Sequence, residues 1–283
     1  MARDILTRPI RWTFMEEATV TTCYRHPDRA TALSCSTCGR PICVQCSRDT
    51  PVGQKCPECA APTGRHKIIT ARQLNRPTPV TQAILFITVG IFLVGYLTGE
   101  LTLRFGLINI LVVEGEWYRM ITSAFLHASP FHIFFNMYAL YIFGPQIERQ
   151  MGSVPFTAMY FSSALAGSAA YLVSGQGGVA VGASGAIFGL FGAWIGATYR
   201  QRHTPAGRAL FQRLAILLGI NLALPLFVSR IAWEAHVGGL IAGLLIVAAW
   251  QRLPGRDARS TNLRTASALA VGAAAVLIAF LVV

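Results

Sequence analysis

Charge is scarce in this chain. Asp, Glu, Lys and Arg make up 13% of its 283 residues, against 53% that are hydrophobic, which is far from the usage of a soluble globule. Acid is scarcer still, with 12 Asp and Glu against 24 Lys and Arg. Four stretches, 80–99, 120–147, 151–199 and 265–283, hold no charged residue at all. A helix crosses a bilayer with about 20 apolar residues, so these stretches predict several membrane spans. No apolar run precedes Ile68; a cleavable signal peptide is therefore not expected, and the N-terminus is expected to stay in the cytosol. No His-Glu-x2-His pairing occurs, which speaks against a zinc-dependent membrane protease. The two halves show no repeat of the transporter kind. Cysteine is missing from every position after Cys59.

Hydropathy places seven helices near 80–98, 130–147, 153–173, 183–199, 209–228, 232–250 and 265–283. With the N-terminus inside, 21 of the 24 Lys and Arg fall on the cytosolic side, and only Arg104, Arg119 and Arg230 fall outside. The net charge of +12 is thus a topology signal of the positive-inside kind. No nucleic-acid motif accompanies it, so nucleic acid is not an expected partner. The segment 100–119 is mixed and partly amphipathic and reads as an outer loop lying at the interface.

Polar side chains at membrane depth are costly unless paired, and point to function. His132 and Asn136 stand four residues apart on one face of the second helix. Ser184 opens the fourth helix in Gly182-Ala-Ser-Gly185, and His236 lies in Glu234-Ala-His-Val-Gly-Gly239 on the sixth. In the derived topology these three helices all run from outside to inside, which brings all four residues to similar depth near the outer face. Gly185, Gly189, Gly192 and Gly196 recur at three-to-four spacing, and Gly239 and Gly243 continue the face of His236. Small residues so spaced let helix backbones approach in lipid.

A serine hydroxyl needs an adjacent base to act as a nucleophile, and an imidazole supplies one. Ser184 and His236 form that pair. Glu234 lies about 200° around the helix from His236, which predicts a dyad and not a triad. The amide of Asn136, the imidazole of His132 and the backbone N–H of Ser184, at the positive end of its helix, are candidate donors to an oxyanion. A lone Gly-Ala-Ser-Gly is commonplace in packed membrane helices; the constellation carries the reading.

All seven Cys fall between residues 23 and 59, as Cys23-x2-His26, Cys35-x2-Cys38, Cys43-x2-Cys46 and Cys56-x2-Cys59. Eight ligands suffice for two tetrahedral zinc sites. Disulfides fit neither the odd count nor a cytosolic location. The gap of four residues between Cys38 and Cys43 favours interleaving, pairing the first motif with the third and the second with the fourth. With four protein ligands each, both zinc ions are expected to be structural, and catalysis to need no cofactor. The segment resembles cross-braced B-box and RING-like modules, the B-box more so.

From Glu116-Trp-Tyr-Arg119 through Thr122, Phe125-Leu-His127, His132, Asn136, Gly144, Glu148, Gly182-Ala-Ser-Gly185 and Ala235-His-Val-Gly-Gly239, the chain resembles the rhomboid family of intramembrane proteases. The resemblance covers roughly residues 80–250. It implies a six-helix catalytic core with Ser184 as nucleophile and His236 as base, and it assigns His132 and Asn136 to the oxyanion site. It also gives Arg119, His127 and Glu148 structural roles around the outer loop and helix two. Phe188 occupies the place of an aromatic that packs on the catalytic imidazole, without the hydroxyl of the tyrosine frequent there. The resemblance further implies single-span membrane proteins as substrates and a bacterial plasma membrane as the location.

The expected fold is an all-α polytopic membrane protein: a rhomboid-like six-helix core plus a seventh C-terminal helix, preceded by a small cross-braced zinc domain. Its expected parts are an arm (1–20), a zinc-binding domain (21–62), a basic linker (63–79), the catalytic core (80–250), and a cytosolic loop with an extra transmembrane helix (251–283). Expected partners are the bilayer, membrane-protein substrates and a cytosolic protein at the zinc domain. A non-catalytic membrane adaptor is the rival reading, against which the retained Ser184 and His236 stand.

Overall fold

The computed structural model describes residues 21–50, 53–60, 77–227, 231–253, 255 and 257–283. The N-terminal arm, most of the basic linker, His66, Arg230 and Arg256 lie outside the described residues. The chain divides into two compact units, Met1–Thr70 and Ala71–Val283.

The first unit has little to fold around. Strands β1 (Thr21–Cys23) and β2 (His26–Thr31) pair antiparallel, as do β3 (Arg48–Thr50) and β4 (Gly53–Lys55), followed by one helical turn, α1 (Pro57–Ala60). Its buried apolar cluster consists of five cysteines and a single aliphatic side chain, Ile42. That is too small a core to offset the chain entropy of ordering, and a domain of this kind depends on its cysteines or on metal.

The second unit is helical. Helix α2 (Pro79–Thr98) is followed by three short helices, α3 (Leu101–Phe105), α4 (Asn109–Val113) and α5 (Arg119–Thr122), then by the long α6 (Pro130–Met151) and α7 (Ser153–Val173). Next come α8 (Ser184–Tyr199), α9 (Pro205–Ala223), α10 (Trp233–Trp250) and α11 (Ala258–Val282). Caps and prolines set the starts. Ser129 accepts from His132 N and Thr204 from Gly207 N, each with Pro at the next position, and Asp257 accepts from Ser260 N. Glycine in the left-handed region ends α2 at Gly99, φ 75°.

Five of the seven long helices, α2, α7, α9 with its 3₁₀ extension, α10 and α11, are long and apolar enough to cross a membrane. The chain is a multi-pass membrane protein. The two that fall short are informative. Helix α6 carries His132, Asn136, Gln146, Glu148 and Arg149. Helix α8 has 16 residues, about 24 Å against the ~30 Å of a hydrocarbon core. Ten of those 16 are buried, because α6, α7, α9 and α10 surround it. A helix sheathed by protein has no need to match the lipid.

The segment expected as an interfacial loop is more ordered than its composition suggests. Arg119, only 4% exposed, donates to the carbonyls of Leu103 and Gly106 and pairs with Glu116 at 2.6 Å, while Thr122 Oγ1 donates to Phe105 O. One buried guanidinium thereby ties α3 to α5, with Nε on the Glu116 carboxylate and Nη1 on the two carbonyls. The Tyr118 hydroxyl and then the Arg119 guanidinium hold the Glu116 carboxyl below the usual carboxylate range.

At the other end of α6, Glu148 is 2% exposed and accepts four hydrogen bonds: from the backbone N–H groups of Val80 and Thr81, the Thr81 hydroxyl and the Ser153 hydroxyl. A carboxylate at the first turn of α2 satisfies orphan donors and complements the helix dipole. Glu148 thus joins the ends of α2, α6 and α7.

Candidate active site

The loop before α8 is held in place before the helix begins. Leu107 and Ala180 exchange both backbone hydrogen bonds, at 3.0 and 2.9 Å, and Gly182 N donates to Ser123 O at 2.9 Å. This stitches the loop to the segment that Arg119 organises. Gly182 then turns with φ +133°, a conformation glycine adopts without strain. A side chain there would also collide: a Cβ on Gly182 would lie 2.8 Å from His132 Nε2 and 3.7 Å from Ser184 Oγ. At most the sum of these two short distances separates the ring nitrogen from the hydroxyl.

Helix α10 meets α8 backbone to backbone. A Cβ on Gly239 would fall 1.9 Å from Gly185 O, and one on Gly243 would fall 1.9 Å from Gly189 O. A Cβ on Gly192 would lie 2.4 Å from Leu240 O. Helix α7 closes the third side, where a Cβ on Gly167 would lie 2.8 Å from Ala235 O, and one on Gly238 would lie 2.5 Å from Ala166 O. The predicted small-residue faces of α8 and α10 do meet. The small run on α7, Ser162 to Ala170, was legible in the same way, yet Gly167 and Gly238 were missed.

His236 is buried, and its ring stacks on Phe188 with centroids 4.1 Å apart and planes 10° from parallel. Ser184 is one turn before Phe188 on the same face of α8. Among the described residues no hydrogen bond links Ser184 Oγ to His236, and His236 Nδ1 is buried without a partner. Catalytic hydrogen bonds are often long in the absence of substrate and tighten when it binds. No carboxylate hydrogen-bonds the His236 ring among the described residues, Glu234 included.

The other imidazoles have readable tautomers. Ala128 N donates to His132 Nδ1, long at 3.5 Å, which leaves the proton on Nε2, the atom aimed at Gly182. Ala183 N donates to His127 Nε2 at 3.5 Å, and the His127 ring meets His132 edge to face at 4.9 Å. His127 therefore positions both His132 and the start of α8. Asn136 is buried, with one amide hydrogen given to His132 O at 2.9 Å; the second has no acceptor among the described residues. Ser184 is the first residue of α8, so its own N–H has no intrahelical acceptor.

Beside Ser184 lies a hollow of about 30 Å³, bordered by Ser123, Ser168 and Gly167. That is room enough to admit water. Ser123 and Ser168 were not foreseen. Their roles come from contacts across 48 or more residues, such as Ser168 Oγ to Met120 O, which no local pattern announces.

In the first unit the cysteines gather into two groups, Cys23, His26, Cys43 and Cys46, and Cys35, Cys38, Cys56 and Cys59, the candidate ligand atoms of each within 4.8 Å of one another. Cys43 and Cys46 Sγ lie 3.4 and 3.3 Å from His26 Nδ1, and Cys38 and Cys56 Sγ are 3.9 Å apart. Tetrahedral sulfur ligands at about 2.3 Å from an ion stand roughly 3.8 Å from each other. The donor set fits a metal. Arg40 Nε donates to Cys38 Sγ at 3.3 Å, setting a positive charge against an all-thiolate group.

Comparison with known proteins matches residues 114–252 to the rhomboid domain family. "Putative rhomboid protease YdcA" of Bacillus subtilis is 35% identical over 139 residues, 49% of this chain and 69% of that protein. "Rhomboid protease GluP" of the same organism is 37% identical over 141 residues, 50% of this chain and 27% of its own length. "RHOMBOID-like protein 1" of Arabidopsis thaliana is 32% identical over 140 residues, 49% of this chain and 36% of that protein. The matched segment takes in Ser184, His236, His132 and Asn136, and ends before α11.

Proposed function

The chain belongs to the rhomboid family, and from that membership we propose that it is an intramembrane serine protease working through Ser184 and His236. The observation that carries the reading is the convergence on the first turn of α8 of groups from separate segments. His236 stacks on Phe188, one turn after Ser184, and a Cβ on Gly182 would lie 2.8 Å from His132 Nε2 and 3.7 Å from Ser184 Oγ.

In this mechanism His236 takes the proton of Ser184 as Oγ attacks a peptide carbonyl. The oxyanion that forms is met by His132 Nε2–H, the second Asn136 amide hydrogen and the Ser184 backbone N–H. Each such donor is typically worth about 10² to 10³ in rate. The imidazolium then gives its proton to the departing amine. Water, deprotonated by His236, adds to the acyl-Ser184 ester and releases the acid product, and the imidazolium returns the proton to Ser184 Oγ. Phe188 keeps the imidazole flat against α8. Without a third member, orientation of the base rests on that stacking. Arg119 and Glu148 act as structural anchors.

The substrates of this reading are single-span membrane proteins cut near the extracytoplasmic face of a bacterial plasma membrane, with the N-terminus and most basic residues in the cytosol. Two structural zinc ions hold the N-terminal unit together, one on Cys23, His26, Cys43 and Cys46 and the other on Cys35, Cys38, Cys56 and Cys59. That unit is a candidate platform for a cytosolic protein partner.

The test is co-expression with a panel of tagged single-span proteins, comparing the wild type with Ser184→Ala and His236→Ala. Each substitution is expected to reduce the cleaved fragment at least about a thousandfold. A fragment that persists at wild-type level in both variants refutes the proposal and leaves a non-catalytic adaptor as the reading.

A further inference from the structure

A second cavity lies at the far end of α8 from Ser184, about 24 Å along the helix at 1.5 Å per residue. Its volume is about 410 Å³, within the range of ligand sites and far above that of a trapped water. The ends of α8 and α10, the end of α6 and the second turn of α11 border it, and it opens to the outside. Met151, Val247 and Trp250 supply an apolar wall, while Arg200, Arg264 and Gln251 supply polar groups. Among the described residues no acidic side chain lines it.

The cationic donors there are underused. Among the described residues Arg200 makes one hydrogen bond, 3.4 Å to Gln251 Oε1. Arg264 spends one terminal nitrogen on the carbonyls of Leu253 and Gly255, yet its Nε is buried and has no partner among the described residues. Among the described residues neither arginine has a carboxylate within ion-pair distance. The C-terminal ends of α8 and α10 bring about −0.5 charge each, so two guanidinium groups leave a surplus near +1. The Trp250 indole is not available to a ligand, since it donates to Arg264 O and Ser267 Oγ. A buried, unmatched guanidinium N–H is costly unless an acceptor reaches it.

We propose that this cavity binds a phosphate-bearing anion, the headgroup of an anionic phospholipid. The arginines meet the phosphate and the apolar wall meets the glycerol and upper acyl carbons. Basic pockets between membrane helices are suited to such headgroups, and planar guanidinium groups to phosphate oxygens. The ligand would clamp α8, α10 and α11 together at the end remote from Ser184. The inference rests on the packing of these helices and not on the chemistry of Ser184.

The test uses the full-length protein in neutral detergent, with thermal unfolding followed after addition of phosphatidylglycerol, phosphatidylcholine or inorganic phosphate at matched ionic strength. Phosphatidylglycerol at ten times its dissociation constant is expected to raise the midpoint by about 3–6 °C, and phosphatidylcholine is expected to leave it unmoved. The increment should vanish in Arg200→Glu, persist in Arg208→Glu, which makes the same charge change outside the cavity, and persist in Ser184→Ala. A shift with inorganic phosphate that is also lost in Arg200→Glu supports the site and assigns a soluble source. The proposal is overturned if the wild type shows no increment, if Arg200→Glu keeps it, or if Arg208→Glu loses it equally.

Discussion

Replacing Gly239 by alanine adds one carbon, and its effect can be worked out from the contact it would make. That carbon would sit 1.9 Å from the Gly185 carbonyl oxygen, where real contacts essentially never fall below 3.0 Å. The obstacle is backbone, so no rotamer change relieves it, and α10 must move away from α8 by on the order of 1 Å. Overpacking of this kind typically costs about 1–3 kcal/mol. Gly239 is three residues from His236 and Gly185 is next to Ser184, so the displacement falls on the proposed dyad. A misplacement of about 1 Å can cost 10²-fold in rate. Cleavage of a tagged single-span substrate in reconstituted vesicles should therefore drop about a hundredfold, beyond any change in the amount of folded protein measured by thermal unfolding. Gly90 is the control. Its added carbon would meet nothing within 4 Å, and alanine there should leave cleavage intact and stability unchanged or slightly higher. Wild-type cleavage and melting in Gly239→Ala would refute the packing argument.

Glu148→Gln removes the charge on which four donors converge and should cost about 2–4 kcal/mol, read as a lowered unfolding midpoint; a midpoint equal to wild type contradicts the role given to this carboxylate. Elemental analysis of the purified chain should find two zinc ions, and because the two groups interleave along the sequence, Cys35→Ser should speed zinc loss from the Cys23 group as well. A variant that holds one ion as firmly as the wild type would speak against a cross-braced unit. Glu116 has its folded pKa lowered by Tyr118 and Arg119, so its contribution is present above the unfolded value near 4.3 and fades as pH falls through the lower, folded value. Hydrogen exchange across 101–122 should accelerate over that acid range in the wild type, and Glu116→Gln should flatten the dependence.

Much of this architecture was readable because lipid enforces simple rules. Each of the seven long helices overlaps its expected range, since most of a span must be apolar. Starts were misjudged where a polar cap precedes the apolar run. Helix α11 begins at Ala258 under Asp257 and α9 at Pro205 under Thr204, several residues before hydropathy rises. The grouping of the cysteines into first-with-third and second-with-fourth followed from a gap too short for consecutive sites. The ordered helices of 101–122 were not readable, because they depend on Arg119 reaching carbonyls 13 and 16 residues away. The hollow beside Ser184 was equally hidden, as its serines come from segments far apart in sequence.

Where two rods meet largely through peptide groups, little along the join can repack, so their spacing behaves as a fixed ruler. Bilayers differ in thickness, and helices bound through interlocking side chains answer by tilting or sliding. The glycine join of α8 with α10 admits little of either, whereas α9, in which only Gly207 and Leu214 are buried among the described residues, is free to lean. A change of host membrane should then alter how α9 sits while leaving the distance between Ser184 and His236 as it was.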